Sequence, residues 1–192
     1  MTSTAATGTD TTTRYLARAI PAAALRQLRR TDDSGRPLRP FVAGAADAPI
    51  DSVGSPLRCC LRGIRSGERV ALVSYAPLRR WAAATGADPG GYDEAGPVFI
   101  HTDECAGPRD LDGYPHARTG ALRAIRRYDA NGHIVGGQLV EIGADPTASI
   151  DEALDAAFSD PEVALVHVRA VEYGCFHFEV RRLDRTGEPV SR

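Results

Sequence analysis

The chain has no lysine: all 23 of its basic residues are arginine. That absence excludes Schiff-base chemistry, a lysine general base and the lysine of a Walker-type phosphate loop. Any anion must be held by arginine, histidine or backbone N–H groups. Charge of one sign is also lacking, since the formal net charge is -2. A broad electrostatic attraction to nucleic acid or to an anionic membrane is therefore not expected. No stretch approaches the roughly 20 apolar residues that cross a bilayer. Gly-x-Ser-x-Gly, the dinucleotide-binding glycine fingerprint, His-Glu-x-x-His and Cys-x-x-Cys are all missing. Four cysteines in 192 residues are too few for a disulfide scaffold. Reduced thiols and a cytoplasmic location are expected.

What is present suits one core: 192 residues, 43% hydrophobic and 25% charged. Residues 1–13 are rich in threonine and alanine and read as a disordered tail. Residues 14–184 read as a single domain, and 185–192 as a frayed end. Within the domain, 14–20 reads as a short strand and Pro21 opens a helix to about Arg30. Residues 38–45 read as a strand. Residues 57–65 and 69–75, around Ser66-Gly67-Glu68, suggest a hairpin. Residues 78–85 suggest a helix anchored by Trp81, and 97–102 a compact strand. Residues 103–119 form a long irregular stretch of the kind that often carries function. A second hairpin, 121–128 with 133–142, turns at Asp129-Ala130-Asn131-Gly132. Ser149, with Glu152 three residues on, signals a helix start. A third hairpin joins 163–171 to 175–183. Tight turns require antiparallel neighbours, so the expected fold is α+β: an antiparallel sheet of hairpins with two helices on one face.

Strand alternation then groups the reactive side chains. In the last hairpin His167 and Arg169 share a face, opposite Cys175, His177, Glu179 and Arg181 of the second arm. A three-residue loop at Glu172-Tyr173-Gly174 pairs His167 with Glu179, Arg169 with His177 and Val171 with Cys175. Such a polar face either meets solvent or lines a pocket. Arg126 and Tyr128 share a face and can clamp a carboxylate or phosphate. If 57–65 is a strand, Cys59 points to the core and Cys60 lies between Arg58 and Arg62, which favours its thiolate. His101 and Cys105 stand where a strand meets a loop, and their spacing suits two zinc ligands. His101-Thr102-Asp103 also has the form of half an iron facial triad.

Cys60-Leu61-Arg62 with Gly67-Glu68, Gly96 to His101 followed by Cys105, Arg126 to Asp129, and Asp160 to Val163 leading through His167-Val168-Arg169 to Cys175-Phe176 together resemble a bacterial family known as domain of unknown function 1203. The resemblance runs from Arg14 to about Asp184. It implies that Cys60, His101, Cys105, Arg126, Tyr128, His167, Arg169 and Cys175 recur, and it implies no reaction. Members often carry Cys-Arg-His-Cys-Leu where this chain has Leu57-Arg58-Cys59-Cys60-Leu61.

Three functional expectations follow. The first is a small-molecule enzyme or binding protein for a small anionic ligand. In it His101, His167, Cys60 and Cys105 do the chemistry, and Arg126, Tyr128, Arg169, Glu179 and Cys175 bind. The second is a zinc- or iron-binding protein using Cys60, His101, Cys105 and Cys175. The third is a non-catalytic interaction module.

Overall fold

The computed structural model describes residues 13–109, 111 and 113–182. The tails expected at 1–13 and 185–192 lie outside these residues, Thr13 excepted. The elements in order are α1 (Ala22–Leu28), β1 (Phe41–Val42), β2 (Arg69–Tyr75), α2 (Pro77–Thr85), β3 (Gly96–His101), β4 (Leu122–Tyr128), β5 (Ile134–Glu141), α3 (Pro146–Phe158), β6 (Leu165–Ala170) and β7 (Phe176–Arg181). The fold is α+β with antiparallel strands, in agreement with the sequence. The strands divide into two sheets, of order β1-β2-β3 and β5-β4-β6-β7.

The larger sheet is covered on both sides. Ile150, Ala153, Leu154, Ala157 and Phe158 of α3 pack against Ile125, Val166, Val168, Phe178 and Val180. On the other side, Leu78 and Trp81 of α2 meet Tyr128 and Leu165, and Phe176 joins the core of the smaller sheet. The helices are therefore shared between the faces, where the sequence suggests two on one face. Double coverage buries every residue of β6. The polar face of the last hairpin is thus an interior surface.

Three local differences from the sequence matter for the site. Residues 57–65 are a compact turn and make no strand of a hairpin. Leu57 N–H donates to Arg62 O at 2.8 Å and Leu61 N–H to Leu57 O at 3.0 Å, and Leu61 adopts a left-handed φ of 59°. Leu57 makes only an isolated bridge to Phe99. In the last hairpin His167 faces Glu179 as expected, but a bulge follows and Arg169 faces Phe176, not His177. The extra residue turns Phe176 toward the ring of His167, 5.0 Å away. Finally, α3 begins one turn early. Asp145, not Ser149, caps it by accepting from Ala148 N–H at 2.9 Å, with Pro146 in the first turn, where its missing N–H costs nothing.

Candidate metal centre

The turn at 57–62 sets the geometry. In a strand, adjacent cysteines would diverge. Here the left-handed Leu61 folds the chain back, and both sulfurs face the end of β3. Cys59 Sγ and Cys60 Sγ are 4.0 Å apart, and they lie 3.4 Å and 3.8 Å from His101 Nδ1. Cys105, four residues beyond His101, completes a set in which all four ligand atoms lie within 4.8 Å of one another. Cys59 and Cys60 are buried; His101 and Cys105 are half-buried.

The three separations among Cys59, Cys60 and His101, 3.4 to 4.0 Å, are close to the edges of a coordination tetrahedron, and Cys105 lies within 4.8 Å of all three. Metal–sulfur bonds of about 2.3 Å and a metal–nitrogen bond of about 2.0 Å give S–S edges of about 3.8 Å and S–N edges of about 3.5 Å. So tight a set encloses one ion and has no room for a multi-iron cluster. The donors are soft, three sulfurs and an imidazole, which selects zinc or iron over magnesium or calcium.

The surroundings favour one negative charge on the Cys59–Cys60 pair, at Cys60. The backbone N–H of His101 donates to Cys59 Sγ at 3.3 Å. The Cys60 thiol is lowered to about 6, first by the S–H of Cys59 donating to it, with His101 and the Arg62 backbone N–H assisting against burial. The Cys59 thiol is pushed up correspondingly. Behind His101, its Nε2 lies 3.6 Å from Glu68 Oε2. Arg62 Nη2 lies 3.4 Å from the same nitrogen, so the far side of the ring faces both a carboxylate and a guanidinium while Nδ1 faces the two sulfurs. Glu68 is itself held by Arg62 at 2.6 Å and 3.1 Å and by Arg65 N–H at 2.9 Å. The Arg62 bond is the main reason its carboxyl falls to about 2. A cavity of about 230 Å³ opens beside the cluster, lined by Cys60, Arg62, His101, Cys105, Ala106, Gly107 and Arg109. A larger cleft of about 640 Å³, bordered by Trp81, Asn131, Glu162 and Arg182, touches none of these cysteines or histidines.

The other expected site residues gather elsewhere. Arg126 Nη1 lies 2.7 Å from Glu94 Oε1, and Arg169 Nη1 pairs with the same oxygen. Both guanidiniums therefore already hold a carboxylate of this chain, contributed by the loop before β3. The Tyr128 hydroxyl is buried without a well-directed hydrogen bond, and its ring lies 4.8 Å from that of His167. His167 Nε2 meets Glu179 Oε2 at 3.3 Å, and Arg181 Nε donates to Glu179 Oε1 at 2.6 Å. Burial lowers the basicity of His167. Burial alone would raise Glu179, but the bonds from His167 and Arg181 outweigh it and lower it. A neutral imidazole thus faces an ionised carboxylate. Cys175 stands apart from both groups, its sulfur 3.7 Å from Tyr173 O.

The structure therefore brings together Cys60, His101 and Cys105. It replaces Cys175 by Cys59 in the fourth position, because the 57–62 turn carries Cys59 inward while Cys175 follows the last hairpin loop. Asp103 is not among the donors gathered around His101: its side chain is 70% exposed and lies 3.9 Å from Arg69. Cys59 is the residue that strand reasoning missed. The signal for it was the turn chemistry of Gly54, Pro56 and Gly63 around a Cys-Cys pair. Glu94 had no signal in the sequence.

Among the described residues no helix is long and apolar enough to cross a membrane. A family model described as "Protein of unknown function (DUF1203)" matches residues 54–182, a span that contains all four ligand positions. No curated protein and no solved structure matches the chain.

Proposed function

The chain belongs to the DUF1203 family, and since that description names no activity we propose from the site itself that the protein binds a single metal ion, zinc, through Cys59, Cys60, His101 and Cys105. The observation that carries this is the mutual approach of the four donor atoms, all within 4.8 Å. Four protein ligands make a closed, structural type of zinc site. Three thiolates, a neutral imidazole and a divalent ion sum to one negative charge, and the Arg62 guanidinium stands next to it, 3.4 Å from His101 Nε2. The ion would join the turn before β2 to the end of β3 and the loop beyond it.

The test is elemental analysis of gently purified protein, followed by cobalt substitution. We expect about one zinc per chain and, with cobalt, the intense absorption of tetrahedral thiolate coordination. Cys59→Ser should weaken the cobalt spectrum and Cys175→Ser should leave it unchanged. Less than about 0.2 ion per chain would end the reading, given how tightly structural zinc is held. So would equal effects of the two substitutions.

A second reading uses the same residues without a metal, and the cavity beside them favours it. Cys60 would be a nucleophile toward a small anionic substrate, with His101 at 3.8 Å as its acid–base partner and Arg109 at the cavity wall. In this reading purified protein is metal-free, and iodoacetamide alkylates Cys60 near neutral pH far faster than Cys175. Full zinc occupancy with slow alkylation excludes it. The anion-binding role of Arg126, Tyr128 and Arg169 belongs to this reading too, and it requires that Glu94 be displaced.

A further inference from the structure

A separate group of basic side chains surrounds His116 and His177. Arg58 and Arg123 are each only 4% exposed. Among the described residues neither has a carboxylate partner within ion-pair distance. Their hydrogen bonds go to backbone carbonyls instead: Arg58 Nε to Phe176 O at 2.7 Å and Arg58 Nη1 to Pro56 O, Arg123 Nη1 to Leu122 O at 2.6 Å and Nη2 to His116 O at 2.5 Å. One arginine thus ties down the residue before His177, and the other ties down His116 itself. The two imidazoles meet edge to face, 5.5 Å between centroids. His116 holds this position in a left-handed conformation, φ 57°, which is uncommon outside glycine.

Polar capacity is left over at this place. His177 is 5% exposed, yet its Nδ1 has no partner, and the buried Nε2 of His116 has none either. Carbonyl dipoles offset a buried guanidinium only in part; a full negative charge does so far better. The site also repels further positive charge. His116 is lowered to about 4 and His177 to about 2, first by burial and then by Arg58 and Arg123. The acidic groups that act on the two arginines are the exposed Glu172 for Arg123 and the half-buried Cys175 thiol for Arg58, and neither forms an ion pair with them. Two guanidiniums that lack a carboxylate in ion-pair contact among the described residues, and two imidazoles each with an unpartnered ring nitrogen, are the donor set that recognises a small oxyanion.

We infer that Arg58, Arg123, His116 and His177 together form a binding site for a small oxyanion, of the phosphate or carboxylate kind. None of the four is a ligand of the proposed metal centre, so the inference stands apart from that reading. The arginines supply forked N–H donors and the imidazoles one N–H each. The oxyanion supplies the negative charge in direct contact that the described residues do not.

The experiment is a proton NMR titration of the full chain, as purified, with sodium phosphate and separately with sodium acetate, at ionic strength held constant by sodium chloride. The ring C–H signals of the five histidines are followed. The His116 and His177 signals should shift saturably, with half-saturation below about 1 mM, while His133, on the surface turn between β4 and β5, stays in place. Saturation by phosphate alone supports a phosphate group as the ligand, and saturation by acetate supports a carboxylate. Arg123→Gln should abolish the shift and Arg123→Lys, which keeps the charge but loses the fork, should weaken it about tenfold. No saturable shift of the wild-type signals up to about 10 mM of either anion overturns the inference, whatever the variants do. An Arg123→Gln protein that folds and titrates like the wild type overturns it as well.

Discussion

Replacing His177 by glutamine should flatten the acid side of the protein's stability curve. In the folded chain His177 titrates near 2 and His116 near 4, both below the ordinary 6.5, because burial and the adjacent Arg58 and Arg123 oppose a further positive charge. The unfolded chain takes up these protons near the ordinary value, while the folded chain refuses them. Stability from each ring is therefore fully present above about pH 6.5 and is lost as the pH falls toward the folded value. For His177 the loss between pH 6.5 and pH 4 is about 3 kcal/mol, from 1.36 kcal/mol per pH unit. That is a large part of a typical domain stability of about 5–15 kcal/mol. The assay is urea unfolding of wild type and His177→Gln from about pH 7 to about pH 4.5, in buffers free of phosphate and carboxylate. Glutamine does not titrate, so the difference between the two stability curves should change by about 1.4 kcal/mol per pH unit. Acid release of a metal ion is common to both proteins and cancels in that difference. Any cost of the substitution at neutral pH is a constant offset and leaves the slope untouched. Parallel curves would refute the burial-and-charge account of this ring.

Three further outcomes are expected. Glu68→Gln removes the carboxylate behind His101 and should lower zinc affinity about 10- to 100-fold with the fold intact, measured by competition with a chromophoric chelator. Asp145→Ala should cost about 1 kcal/mol in urea unfolding through loss of the cap of α3. Gly132→Ala should destabilise by roughly 1–2 kcal/mol: Gly132 has a φ of +87°, and an added Cβ would lie 3.0 Å from Pro89 and 3.3 Å from Trp81, so the thermal midpoint should fall.

Elements with a strong local signal were legible in the sequence. The turn at Asn131-Gly132 and the alternation on either side of it mark the β4–β5 hairpin. Trp81 and Leu78 mark the buried side of α2, and the His167–Glu179 pairing follows from the last hairpin loop. His101 and Cys105 were recognisable because imidazole and sulfur stand together where a strand meets a loop, and Cys60 from its flanking arginines and the family resemblance. Other features depend on tertiary context. Leu57-Arg58-Cys59-Cys60-Leu61 alternates like a strand, but the Pro56–Gly63 bridge and the bond from Arg58 N–H to Phe99 O hold it as a turn. That reversal moves Cys59 from core filler to candidate ligand. The bulge after Val168 is a one-residue insertion that no local pattern announces, and it changes the partner of Arg169 from His177 to Phe176. Glu94, the counterion of Arg126 and Arg169, comes from a glycine-rich loop whose path is set by neighbours remote in sequence. The separation into two sheets likewise rests on long-range pairing, which alternation alone does not encode.

The four sulfur and imidazole donors all come from residues 59–105, and none from β4 to β7. An ion held there would tie the end of β3 to the 57–62 turn. Leu61 of that turn is itself a member of the apolar cluster that α3 forms on the larger sheet with Ile125, Ile150, Leu154 and Phe178. Stripping the ion would then be felt beyond the smaller sheet, because the residue that follows Cys60 packs into the core beneath α3.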